Sequence, residues 1–106
     1  MTDFVLVSTT TASAAEAERI ATALVEQRLA ACVQIVPQVR SVYRWEGKIE
    51  QADERLCLAK TRRSLLPQVE AELLRQHSYE CPEIIAVPIE ASSLGYLQWL
   101  EAQLPS

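Results

Sequence analysis

The sequence predicts an α+β chain in which two β-α-β units are joined through a long hairpin. Two observations carry this. Apolar residues recur at helical spacing in some stretches and at strand spacing in others. The two patterns also alternate in the order strand, helix, strand, strand, helix, strand, helix. At 106 residues and 11.9 kDa, residues 1–106 are expected to form one domain, with no room for a second core.

Phe4-Val5-Leu6-Val7-Ser8-Thr9 is a short apolar run without alternation, as expected of a central strand covered on both faces. The turn after it, Ser8-Thr9-Thr10-Thr11, has no glycine, so a phosphate-cradling loop is absent. Ser13 and Glu16 have capping-box spacing and open a helix to about Arg28. Ala17, Ile20, Ala21, Leu24 and Val25 form its apolar face and leave Glu16, Glu18, Glu26 and Gln27 for solvent. From Ala31 to Glu46 the period is two, with a bend or bulge expected at Pro37, which cannot donate to a ladder. Glu46-Gly47-Lys48 makes the turn, and after the polar stretch 50–55 a strand returns over Leu56–Thr61. Ser64 is a candidate cap, with Pro67 in the first turn, for a helix carrying Leu65, Leu66, Val69, Leu73 and Leu74 and ending near His77. Glu83–Ile89 is the last strand. Ser92 or Ser93 opens a final helix with Leu94, Leu97, Trp99, Leu100 and Leu104. The order is that of a ferredoxin-like split β-α-β sandwich, with two helices on one face of a four-stranded antiparallel sheet, a long hairpin and an extra C-terminal helix. Tyr43 and Trp45 near the hairpin tip have no obvious cover within the chain.

Composition narrows the function classes. Ten Lys+Arg against fourteen Asp+Glu give a net charge of −4, which argues against a nucleic-acid partner. The apolar run near the start is too short to enter a membrane, and three widely spaced cysteines make no disulfide framework, so a cytoplasmic location is expected. So short a chain buries a modest fraction of its surface, and oligomerisation is the natural supplement.

Few residues suggest chemistry. His77 and Cys81, four apart with Glu80 and Glu83 nearby, could ligate zinc or copper, but the set lacks paired ligand spacing; polar packing at a helix end is the alternative. Cys32 and Cys57 read as small buried hydrophobes with no general base placed beside them, so nucleophilic catalysis has no anchor and no enzyme is expected. Arg40, Arg44, Lys60, Arg62 and Arg63 charge the hairpin strands, either as edge protection or as a site for an anionic small molecule.

The segments Leu29-Ala30-Ala31-Cys32-Val33, Ser41-Val42-Tyr43-Arg44-Trp45-Glu46-Gly47-Lys48-Ile49, Lys60-Thr61-Arg62, His77-Ser78-Tyr79, Pro82-Glu83-Ile84-Ile85 and Gly95-Tyr96-Leu97-Gln98-Trp99-Leu100 run nearly end to end. Through them the chain resembles the CutA family of divalent-cation tolerance proteins. The resemblance implies a homotrimer, architecturally akin to PII-type signalling trimers, with hairpin strands pairing across subunits. It also implies ligand clefts between subunits, near which Cys32, Trp45, Lys60, Arg62, Tyr79 and Glu83 would fall. Copper ligation in some members is attributed to a first-strand Cys and a His-His pair. The matching positions here are Ser8, Gln76 and His77, so only His77 remains, and a hydroxyl and an amide replace poorly a thiolate and an imidazole. The leading expectation is a non-catalytic metal-ion response protein binding a divalent cation (Cu or Zn) through His77, with Cys81 or Glu83 as partners. The alternative is a small-molecule carrier or signalling trimer holding an anionic ligand in the intersubunit cleft.

Overall fold

The first strand, β1 (Phe4–Thr11), runs past its apolar stretch through the threonines that sequence had assigned to a turn. The computed structural model describes residues 3–105. Helix α1 (Ala14–Glu26) follows, then β2 (Cys32–Trp45) and β3 (Lys48–Arg62). A 3₁₀ turn at Arg63–Leu65 leads into α2 (Leu66–Gln76), and β4 (Ile85–Pro88) and α3 (Leu94–Gln103) complete the order. The sheet is antiparallel in the order β2-β3-β1-β4, the ferredoxin-like arrangement that the sequence predicts.

Alternation along β1 divides the core. Val5 and Val7 pair with Thr61 and Ala59, all nearly inaccessible, and pack with Ile20 and Leu24 of α1 and Val69 and Leu73 of α2. Leu100 and Leu104 bring α3 into the same cluster. The other face, carrying Leu6, Lys60 and Cys32 in register, is only half covered. At the end of α1, Arg28 takes a left-handed conformation (φ 57°), and its guanidinium donates to the Gln103 and Ala102 carbonyls at the end of α3. A cation placed on the terminal carbonyls of a helix stabilises it.

The hairpin outgrows the sheet. β1 pairs with Arg55–Arg62 of β3, so the seven pairs from Val39↔Glu54 to Trp45↔Lys48 form a two-stranded ribbon. The register breaks between Val36 and Val39, at the bulge expected around Pro37. Glu46 and Gly47 turn the chain with φ of 50° and 80°, the left-handed pair that a two-residue hairpin loop requires. Val42, Tyr43, Trp45 and Ile49 are exposed along this ribbon.

Several local expectations need correction. β3 begins at Lys48, because the polar stretch 50–55 is itself strand, its Glu50, Gln51 and Asp53 exposed on the ribbon and only Glu54 buried. Ser64 does not cap α2, since the 3₁₀ turn precedes the helix and places Leu65 at its N-cap. Ser93 opens α3 but makes no side-chain cap bond. The last strand is confined to Ile85–Pro88, where β1 offers partners. Val25 and Leu74 face outward. The largest departure is Glu16, assigned to solvent but 4% exposed. Ser13 Oγ accepts the Glu16 N–H as a cap should, but the carboxylate turns inward, meeting the Ala12 N–H at a long 3.4 Å and Ser78 at closer range.

Candidate functional site

The end of α2 and the loop to β4 are fastened to the sheet by a chain of hydrogen bonds. Glu16 accepts from the Ser78 N–H at 2.7 Å and the Ser78 hydroxyl at 3.0 Å. Burial alone would raise its carboxyl, but the two Ser78 donors, His77 and the Ala12 N–H outweigh this and hold it below the usual carboxylate range. His77 follows on the same strap with its side chain fully buried. Its Nε2 lies 3.2 Å from Thr9 Oγ1, and its Nδ1 accepts the Tyr79 N–H at 3.3 Å and sits 3.6 Å from Glu16.

Tyr79 carries the chain of bonds into a groove. Its hydroxyl donates to Glu54 Oε2 at 2.6 Å, and burial together with that carboxylate holds the phenol well above its ordinary range. Nearby, Ser8 Oγ donates to Glu83 Oε2 at 2.8 Å. The groove encloses about 570 Å³ between the root of the ribbon and the loop before β4. Thr10, Ser41, Val42, Tyr43, Trp45 and Glu54 line its sheet side, and Tyr79, Glu80, Cys81 and Glu83 its loop side. Pairing to alternate residues of β3 puts Ser41, Tyr43 and Trp45 on one face of the ribbon with Glu54.

The predicted site residues fall into two groups. Trp45, Tyr79, Glu83 and Cys81 meet in the groove, whereas His77 lies outside its lining with both ring nitrogens engaged. Cys32, Lys60 and Arg62 lie at the other end of the hairpin. Cys32 pairs with Lys60, whose Nζ donates to Tyr96 Oη at 2.9 Å and sits 5.0 Å from that ring's centre. The Arg62 guanidinium lies 5.1 Å from the centre of the Phe4 ring, and its buried Nε has no hydrogen-bond partner among the described residues. Trp45 pairs with Lys48, about twelve residues along β3 from Lys60, or roughly 40 Å at about 3.3 Å per residue. One chain therefore does not gather the expected cleft residues into a single cleft. Among the described residues, no three His, Cys, Asp or Glu side chains converge as a metal site.

Sequence reasoning missed Glu16 and Glu54. Glu54 sits in the polar stretch and is 7% exposed, and only its position opposite Val39, beyond the bulge, could have hinted that it faces Tyr79. Tyr96 was likewise unmarked as the partner of Lys60.

Residues 5–103 match the family model described as CutA1 divalent ion tolerance protein. The chain belongs to the CutA1 family. It is 46% identical over 84 residues to the divalent-cation tolerance protein CutA of Thermus thermophilus, covering 79% of this chain and 82% of that one. The corresponding Pectobacterium atrosepticum protein is 41% identical over 102 residues, covering 96% and 93%. Human Protein CutA is 48% identical over 84 residues, 79% of this chain, and the chain spans about half the length of that and the two plant relatives it matches. Among solved structures, CutA1 from Oryza sativa superimposes with a TM-score of 0.95 at 38% identity, over 99% of this chain and 96% of that one. CutA1 from Shewanella sp. SIB1 also gives 0.95, at 43% identity over 99% and 98%. Those CutA1 family members share the whole architecture described above, α3 included. No helix among the described residues is long and apolar enough to cross a membrane.

Proposed function

We propose that this CutA1 family member is a non-catalytic divalent-cation response protein that works as a homotrimer and takes a copper or zinc ion at the mouth of the groove. The observation that carries this reading is the exposed Cys81 thiol beside Glu80 and Glu83 on the groove's loop side. Thiolate and carboxylate suit a borderline cation. They are too few in one chain for a closed coordination shell, so a second copy would supply the remaining ligands. His77 would have to release the Tyr79 N–H and its contact with Thr9 to take part, which favours Cys81 as the anchoring ligand.

Trimerisation is supported by the ribbon. A lone two-stranded hairpin is marginal in water, and this one exposes Val42, Tyr43, Trp45 and Ile49. The absence of catalysis is supported by the position of His77, buried outside the groove lining. Three free thiols suit a reducing, cytoplasmic setting. Calorimetric titration of the purified chain with Cu²⁺ and Zn²⁺ tests the reading. Saturable binding that Cys81→Ser weakens at least about tenfold is expected. Binding that is absent, or unchanged in Cys81→Ser, refutes it.

A second reading rests on the other cluster. The Arg62 guanidinium and the Lys60 ammonium, which keeps donors beyond the one given to Tyr96, would together attract a carboxylate or phosphate, the chemistry of an anionic small molecule. Under this reading Lys60→Ala abolishes the thermal shift given by such a ligand and leaves metal binding unchanged.

A further inference from the structure

The groove and the far end of the hairpin carry opposite charges. Glu54, Glu80 and Glu83 line the groove, and among the described residues no lysine or arginine does. Glu54 is 7% exposed; its hydrogen-bond partner among the described residues is the Tyr79 hydroxyl, and it joins no ion pair there. A carboxylate buried without an opposite charge is costly. At the other end, the Lys60 ammonium has three donors and gives one to Tyr96 Oη, and among the described residues it too joins no ion pair. Arg62, two residues on, adds a second positive charge on the same face of β3.

Within one chain Glu54 and Lys60 cannot meet. They point to one face of β3 six residues apart, roughly 20 Å at about 3.3 Å per residue. A second copy removes that limit. We propose that in the assembly Lys60 of one copy, with Arg62 alongside, enters the groove of the next and counters Glu54. The inference rests on the homotrimer reading and deepens it, because the groove becomes a socket that the neighbouring copy completes. The contact is head to tail: each copy gives Lys60 to one neighbour and a groove to the other, so three copies close a ring with every socket filled. The docked end also covers the ribbon, since Tyr43 and Trp45 share a face with Glu54 and line the same groove. Their rings then stand beside a cation from which water is largely excluded, where aromatic faces and a carboxylate both attract it. Tyr79 holds Glu54 through Oε2 at 2.6 Å, so the acceptor needs little further ordering on docking.

The test is zero-length cross-linking of the full chain in its native assembly, with a chelator present so that no metal occupies the carboxylates. A water-soluble carbodiimide joins an ammonium to a carboxylate in contact with it and spares guanidinium groups. Lys48 and Lys60 are the two lysines of the sequence, which makes the products simple to map. Species of two and three chain masses are expected on a denaturing gel, with Lys60 joined to Glu54, Glu80 or Glu83 in the peptide spectra. Lys60→Arg keeps the charge and is expected to abolish that link. Thermal denaturation at fixed protein concentration gives a second reading. Lys60→Gln is expected to lower Tm by at least about 4 °C, and by less than half as much when Glu54→Gln is already present, whereas Lys60→Arg stays within about 2 °C of the parent. Coupling between residues roughly 20 Å apart in one chain reports contact between copies. A trimer in which Lys60 links only to acids outside the groove, or in which Lys60→Gln costs the same in both backgrounds, overturns the docking and leaves the homotrimer reading standing. A monomer overturns both.

Discussion

Removing the Glu16 carboxylate should loosen the strap that carries His77 and Tyr79. Glu16 is 4% exposed and accepts two short bonds from Ser78, at 2.7 and 3.0 Å. Bonds to a charged acceptor contribute about 1.5–3 kcal/mol each, but Ser78 itself is exposed, so water recovers part of that in the variant. Glu16→Ala is therefore expected to cost about 2–3 kcal/mol, or a fall in Tm of about 10–20 °C for a chain of this size. Thermal denaturation followed by circular dichroism at fixed protein concentration reads it, since assembly makes Tm depend on concentration. The variant also has a pH signature. Because the folded carboxyl titrates below its unfolded value of 4.5, its contribution is complete above that pH and is lost as pH falls through the lower folded value. Glu16→Gln keeps an acceptor oxygen but should lack that acid-side loss. A Glu16→Ala Tm within about 2 °C of the parent would refute the strap as described.

Gly47 has φ of 80° with open space around it, so Gly47→Ala should lower stability by about 1 kcal/mol through backbone strain alone, measurable by urea denaturation. Thr61, fully buried, donates to the Leu29 carbonyl at 2.6 Å; Thr61→Val should destabilise by about 1–3 kcal/mol in the same assay by leaving that carbonyl unpaired. Burial pushes the Cys57 thiol up to about 11, so at pH 8 a thiol reagent should label the exposed Cys81 first and reach Cys57 only on unfolding, as mass spectrometry of the labelled peptides would show. The raised Cys57 value also means that this thiol's contribution to stability is complete below pH 9.0 and declines as pH climbs toward 11.

Most of the fold was legible because its signals are local. The apolar run at Phe4–Val7, the helical spacing of Ile20 and Leu24, and the period-two stretch through Trp45 each report a face that must be buried. Pro37 marked the bulge, and Glu46-Gly47 marked the turn, by backbone restriction alone. The site was less legible because its partners lie far apart in the chain. Glu16 has the pattern of a capping-box acid, and nothing nearby in sequence shows that Ser78, 62 residues on, will draw its carboxylate inward. Tyr79 finds Glu54 across 25 residues for the same reason. The resemblance groups Trp45 with Lys60 and Arg62 at clefts between subunits, and the long strand from Lys48 to Arg62 holds them well apart within one chain.

That separation makes assembly the central claim. Trp45 and Lys60, roughly 40 Å apart along one hairpin, can line a shared cleft only if copies bring opposite hairpin ends together. Sedimentation equilibrium of the purified chain measures this directly. The account predicts a mass of about 36 kDa, three copies of the 11.9 kDa chain, stable to dilution into the low micromolar range. A species near 12 kDa, folded with the hairpin exposed, would contradict it.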